Sequence, residues 1–305
     1  MALTVSNISV IILTYNEEIH IARCINSLKA IAKHVFIVDS FSTDKTIEIA
    51  ESLGAEIYHH QWKNYADQFQ WGCDNCPIDT DWIMRMDADE YLEPDLQMEI
   101  LQNLVRVSDD VDGIYLKRKV FFYGKWLRHG GLYPLILLRI WRKNKGRIEQ
   151  RWMDEHIIIT NNGKTIQFEN DFIDENLKGI TFWVNKHNSY AIRETIDLLN
   201  NKYNLFEKDI CLKSFKDPQA KFKRILKENF YSKLPLGFRA IAFFLYRYIL
   251  LLGFLDGSKG FIFHLMQGLW YRLLVDVKIM EMESKCNGDI NKIKLILNNE
   301  YGINL

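Results

Sequence analysis

Cysteine and proline are scarce in this 305-residue chain, five of each, and neither sign of charge prevails. The cysteines, Cys24, Cys73, Cys76, Cys211 and Cys286, are odd in number and scattered. Such a set suggests reduced thiols in a cytosolic compartment rather than a disulfide framework. Cys73 and Cys76 have C-x-x-C spacing, but no second pair or histidine-rich partner accompanies them, so zinc or redox chemistry is not expected there. Lysine plus arginine equals aspartate plus glutamate at 39 each, and bulk charge therefore gives no sign of a nucleic-acid partner. No G-x-G-x-x-G follows the first apolar run and no G-x-x-x-x-G-K-[ST] occurs, which removes dinucleotide and P-loop chemistry. Residues 1–7 carry no basic region followed by an apolar one, so no secretory signal is expected.

Apolar residues make up 48% of the chain. That is ample for one large domain, or a domain with an appendage, and argues against disorder. Charge is unevenly distributed. Residues 74–112 hold twelve acidic and two basic residues, a net of −10, whereas residues 117–151 hold eleven basic and one acidic, a net of +10. Opposed blocks of this kind suit a metal–diphosphate ligand gripped from two sides, or two solvated loops that pair with each other.

Ile8–Leu13 reads as a strand buried on both faces. Residues 17–33 carry Ile21, Ile25, Leu28 and Ala32 at helical spacing. His34–Val38 predicts a second strand ending at Asp39, then a polar loop in which Thr43 or Asp44 caps a helix that Gly54 stops. Ala55–Tyr58 and Asp81–Met86 predict further strands. Ala66–Cys73 predicts a helix, as does the run from Pro94 to Asn103, with the proline in its first turn. Alternating strands and helices imply βαβ units and a mostly parallel sheet, with ligands bound outside the carboxyl ends of the strands. Thr14, Asp39 and Asp87 all fall at such ends. Asp87-Ala-Asp-Glu90 places carboxylates where a buried strand surfaces. Carboxylate oxygens suit Mg²⁺ or Mn²⁺, and Mg²⁺ usually shares its shell with substrate phosphates.

Three co-linear segments carry a family resemblance. Ile8-Ser-Val-Ile-Ile-Leu-Thr-Tyr-Asn-Glu17, Val38-Asp-Ser-Phe-Ser-Thr-Asp44 and Trp82-Ile-Met-Arg-Met-Asp-Ala-Asp-Glu90 together resemble family 2 glycosyltransferases of the GT-A fold. The subgroup it resembles most is the bacterial sugar transferases of lipopolysaccharide core, O-antigen and capsule assembly. Trp126–Pro134, Arg151–His156 and Gly253–Gly257 extend that likeness to about Val277. The resemblance implies inverting transfer from a nucleotide-diphosphate sugar, usually a UDP-sugar, with a divalent metal. By position it assigns Thr14, Tyr15 and Glu17 to the nucleoside and Asp39 to the base. It sets Asp87 near the ribose and Asp89 on the metal and diphosphate. Asp154-Glu155 matches the pair that supplies the catalytic base, with Glu155 favoured, and His156 would complete the metal shell. Gln70-Trp71 departs from the family pattern, which puts any role for that helix in doubt. Arg128, Arg139 and Arg142 are candidates for gripping phosphate, and Trp126 for stacking on a sugar.

The expected organisation is a GT-A domain over residues 1–184, α/β in class, and a helical region over residues 185–305. Residues 202–239 hold ten basic and four acidic residues, net +6, and run into the apolar stretch Leu234–Leu255. That stretch is long enough to span a bilayer, but Arg239 and Arg247 interrupt it. Helices over about residues 234–277 are therefore expected to lie in a membrane interface, on the cytoplasmic face of the bacterial inner membrane. The plain alternatives are a helical hairpin packed on the sheet and a homo-oligomer interface, for which Phe261–Val277 is the candidate. The acceptor expected from the subgroup is a lipid-linked saccharide. The competing functions are a nucleotidyltransferase, which would want a glycine- and basic-rich first loop that Thr14–Glu18 lacks, and a catalytically silent membrane scaffold.

Overall fold

The structure, a computed structural model, describes residues 7–149, 155–206 and 234–301. These fall into two compact units that divide between Lys178 and Gly179.

The first unit begins with β1 (Ile8–Thr14), α1 (Ile21–Leu28), β2 (His34–Asp39), α2 (Thr46–Ser52) and β3 (Glu56–His59). It continues with α3 (Tyr65–Asn75), β4 (Trp82–Asp87), β5 (Glu90–Leu92) and α4 (Pro94–Asn103). Then follow β6 (Val111–Phe122), β7 (Lys125–Leu127), β8 (Leu135–Arg142), β9 (Gly146–Ile148), β10 (Ile157–Ile159) and β11 (Lys164–Glu175). The main sheet runs β3-β2-β1-β4-β8-β6-β11-β5, with β7 beside β6, and β9 and β10 pair separately. Its first four strands are parallel, as the alternating pattern predicts. Beyond β4 the sheet is mixed: β8 runs antiparallel to β4 and β6, β11 parallel to β6, and β5 antiparallel to β11.

β1 reads as a nearly uninterrupted apolar sequence because both of its faces are covered; its one interior polar residue, Ser9, is buried and accepts from the Thr80 hydroxyl at 2.8 Å. Ile8, Val10 and Ile12 pack with α1, α2 and α4 on one side. Ile11 packs with Phe36, Phe69 and Trp141 on the other. α3 approaches closely because Gly72 has no side chain: a Cβ there would lie 2.8 Å from Val38. α1 is shorter than the periodicity predicts. The Glu17 and Glu18 backbone N–H groups donate to Thr46 Oγ1 and Asp44, so residues 17–20 form a turn that locks onto the next loop. At the far end Lys33 N bonds Ile8 O instead of continuing the helix. α4 begins at Pro94, where a missing N–H costs nothing.

The register levels the carboxyl ends. Thr14 lies opposite Asp39 in β2, and Leu13 opposite Asp87 in β4. Parallel strands thus deliver two carboxylates to one rim of the sheet.

The second unit is helical. Helix α5 (Ile180–Tyr203) packs Ala191, Ile196 and Leu199 against Val275, Ile279 and, from the terminal helix Ile290–Tyr301, Ile293 and Leu297. Between them stand two arms, Phe238–Leu250 and Gly253–Cys286, bent by 70° at their junction. Among the described residues no single helix is long and apolar enough to cross a membrane.

Candidate active site

The rim of β1 and β2 is a closed hydrogen-bond network around Asp39. The Thr14 hydroxyl donates to Asp39 Oδ1 at 2.7 Å, and Ser42 donates to the same carboxylate from its backbone N at 2.7 Å and its hydroxyl at 2.5 Å. His59 Nδ1 lies 3.6 Å from Asp39 Oδ2. Asp39 itself is fully buried, while Tyr15 and Phe41 beside it are exposed. Phe41 holds a left-handed backbone, φ 61°, and stacks on His59 with ring centroids 5.4 Å apart. Sequence reasoning passed over Phe41, whose positive φ only coordinates reveal.

Glu17 stands at the start of the first-strand loop. Its carboxylate meets His20 Nδ1 at 2.6 Å and Lys178 Nζ at 2.8 Å. His20 is fully buried, and its Nε2 accepts from Leu177 N at 2.8 Å. That bond fixes the tautomer: Nδ1 carries the proton toward Glu17.

At the end of β4 the two aspartates of the Asp87-Ala-Asp89 run have different partners. Asp87 accepts from the Tyr65 hydroxyl and lies 3.7 Å from Arg85 Nε and 3.9 Å from Arg139. Burial by itself would raise its carboxyl. Arg85, Arg139, the Tyr65 hydroxyl and Arg118 outweigh that and hold it well below the usual carboxylate range. Asp89, half-buried, accepts from the Asn176 side-chain amide at 2.9 Å. Its backbone oxygen takes Glu175 N and Arg23.

Beneath them lies a buried pair that the sequence reading missed. Arg139, read as a candidate phosphate grip, is turned inward onto Glu90 at 2.5 Å, and Glu90 Oε2 accepts from Asp87 N at 2.9 Å. Burial lifts the Glu90 carboxyl above its ordinary range, Asp87 and Asp174 add to this, and Arg139 and Arg118 oppose it. Arg142 likewise serves structure: its Nε donates to Val111 O and its guanidinium lies over Trp82.

Arg85 connects this rim to Glu155. Its guanidinium lies 4.2 Å from the Tyr65 ring centroid and donates to Glu155 O at 3.3 Å. Burial works against its charge, yet Tyr65, Asp87, Glu90 and Glu155 together stabilise it. Glu155 and Asp87 therefore share one cation. His156 lies just before β10, and its backbone oxygen accepts from Glu149 N. Asp154 lies outside the described residues. Among the described residues no three His, Cys, Asp or Glu side chains gather into a ready-made metal cage.

The family model "Glycosyl transferase family 2" matches residues 9–170. An "Uncharacterized glycosyltransferase" of Rickettsia bellii is 48% identical over 98 residues, 32% of this chain and 33% of that one. The "Lipopolysaccharide core biosynthesis glycosyltransferase LpsC" of Rhizobium meliloti is 31% identical over 147 residues, 47% of this chain and 53% of its own. The chain thus spans between a third and about half the length of these curated relatives. Among solved structures, a glucosyl-3-phosphoglycerate synthase from Mycobacterium tuberculosis aligns over 37% of this chain and 44% of its own, at 19% identity and a TM-score of 0.31.

Proposed function

The chain belongs to glycosyl transferase family 2, and from that premise we propose that it moves a sugar from a nucleotide-diphosphate sugar, a UDP-sugar, to a lipid-linked glycan, with inversion at the anomeric carbon. The process it would serve is bacterial cell-surface polysaccharide synthesis. The likeness to LpsC, named for lipopolysaccharide core biosynthesis, supports that acceptor class. The observation that supports the reading is that Arg85, 3.7 Å from Asp87 through its Nε, also donates to the backbone oxygen of Glu155, the residue the resemblance favours as base.

In this reading Thr14, Tyr15, Glu17 and Asp39 hold the nucleoside, and Asp87 faces the ribose. Glu155, or Asp154 after it, accepts the proton of the acceptor hydroxyl while that oxygen attacks the anomeric carbon in line with the departing diphosphate. A positioned carboxylate of this kind contributes roughly 10²–10⁴-fold. No covalent intermediate forms on the protein.

The residues fit a divalent cation completed by substrate. Asp87 is committed to Arg85, Arg139 and Tyr65, so in this reading the holders are Asp89, which also accepts from Asn176, and His156. Mg²⁺ and Mn²⁺ accept such a site, with few protein carboxylates and the rest of the shell from phosphate and water. Such an ion, when bound, would offset the charge of the leaving diphosphate.

The test is hydrolysis of UDP-sugars with Mn²⁺, with and without a lipid-linked acceptor. Asp89→Ala and Glu155→Gln should each lower turnover by at least about 100-fold while the melting temperature holds. Silence of the unaltered protein with every UDP-sugar and acceptor would favour a scaffold.

A further inference from the structure

The helical unit carries its polarity inside out. Arg239, in the first arm, is buried against Asp276 of the second at 2.5 Å, and Asp276 also accepts from Gly237 N at 2.7 Å. Arg247 is buried and donates to Gln267 at 3.1 Å. Arg272 meets Glu194 at 2.5 Å, and Tyr271 donates to the same carboxylate. Asp256 and His264 are buried as well.

The outer faces are apolar. Phe238, Ile241, Leu245, Ile249 and Leu252 follow helical spacing and all are exposed, and Leu250 at the bend is 72% exposed. Along the second arm Leu255, Ile262, Leu273, Val277 and Met280 continue the stripe, again exposed. A protein that meets water on that face would place these groups the other way round.

We infer that this bent helix pair is a lipid-facing hairpin that lies at headgroup level in an anionic bilayer. The sequence objection to lipid contact, that Arg239 and Arg247 interrupt the apolar run, falls away because both point inward and are hydrogen-bonded there. The first arm is too short to span by itself: its 13 residues from Phe238 to Leu250 make roughly 20 Å of helix against a hydrocarbon core of about 30 Å. Lys259, exposed and close after the bend, belongs at the polar boundary. Charge supports the lipid: in the sequence, residues 202–238, which lead into the first arm, carry a net +5, which attracts anionic headgroups. The apolar stripe also turns a corner of 70°. A fluid leaflet follows such a surface, whereas a two-fold partner needs a self-complementary patch.

The experiment is flotation of the full chain with vesicles of phosphatidylcholine containing roughly one part in three phosphatidylglycerol, and with phosphatidylcholine alone. Binding is expected to the anionic vesicles. It should fall about tenfold in Leu250→Asp/Leu255→Asp, whose positions are too exposed to disturb the fold, and Lys259→Glu should weaken binding to the anionic vesicles only. The proposal is overturned if the unaltered chain stays unbound, if the aspartate variant binds as before, or if the chain is a dimer that the same substitutions split. UDP-sugar hydrolysis in the same samples reads the transfer site separately, so failure on vesicles and failure of the sugar-transfer reading are told apart.

Discussion

Asn176 donates from its side-chain amide to Asp89 at 2.9 Å, and the two residues after it bind the other side of the rim. Leu177 N reaches His20, and Lys178 reaches Glu17. Three consecutive residues following β11 therefore tie the β4 turn to the first-strand loop. Asn176→Asp sets a like charge against Asp89. The melting-temperature rise given by UDP with Mn²⁺ is expected to shrink, consistent with about tenfold weaker binding. Asn176→Ala should fall between the two. A rise equal to that of the unaltered chain would remove Asn176 from the donor site.

Much of this rim is legible in the sequence for a physical reason. β1, β2 and β4 are largely buried, so each reads as a mostly apolar run, broken by Ser9 in β1 and Arg85 in β4, and the polar residue that ends each run is the one delivered to the rim. The Pro94 helix is legible from its first residue. The rest is set by partners far along the chain. β5 has only three residues and is a strand because Leu92, Tyr91 and Glu90 meet Phe172, Ile173 and Asp174. β11 is polar and alternating, with a register shift between Gln167 and Asp171, so no apolar run announces it. The pairing of Glu90 with Arg139 joins two charged blocks that composition could equally assign to solvated loops.

That pairing makes a stability prediction. Glu90 is 1% exposed and Arg139 3%. Removing the guanidinium strands a buried carboxylate beside Asp87. Arg139→Met is expected to cost about 3–5 kcal/mol in urea unfolding. Adding Glu90→Leu should return much of that loss, since the uncompensated charge goes with it. A single substitution that costs less than about 1 kcal/mol would mean that Arg118, 4.0 Å from Glu90, suffices alone.

Phe41 holds a conformation that disfavours side chains, φ 61°, on the loop that encloses Asp39. Strain kept at such a place calls for a functional reason. Phe41→Gly relieves it, and thermal stability should hold or rise by up to about 1 kcal/mol. If the exposed ring stacks on the nucleobase, UDP binding should weaken by about 1–3 kcal/mol in the same variant. Unchanged UDP affinity by calorimetry would assign the ring to His59 alone.

The helical unit should weaken in mild acid. Burial pushes His264 down to about 4, Arg247 adds to this and Asp256 opposes it. Burial also pushes His187 down to about 4, against its bond to Trp183 O, with Lys186 adding to the fall. An unfolded histidine titrates near about 6.5. Between that value and 4 the unfolded chain therefore binds more protons than the folded one. The contribution is fully present above the unfolded value and is lost as pH falls toward the folded one. Far-UV circular dichroism melts at about pH 7.5 and pH 5 should show this as a lower midpoint in acid. In His187→Gln/His264→Gln the acid shift should shrink, because those two proton sites are gone while every carboxylate remains. An acid shift of the same size in the double variant would place the titrating groups elsewhere.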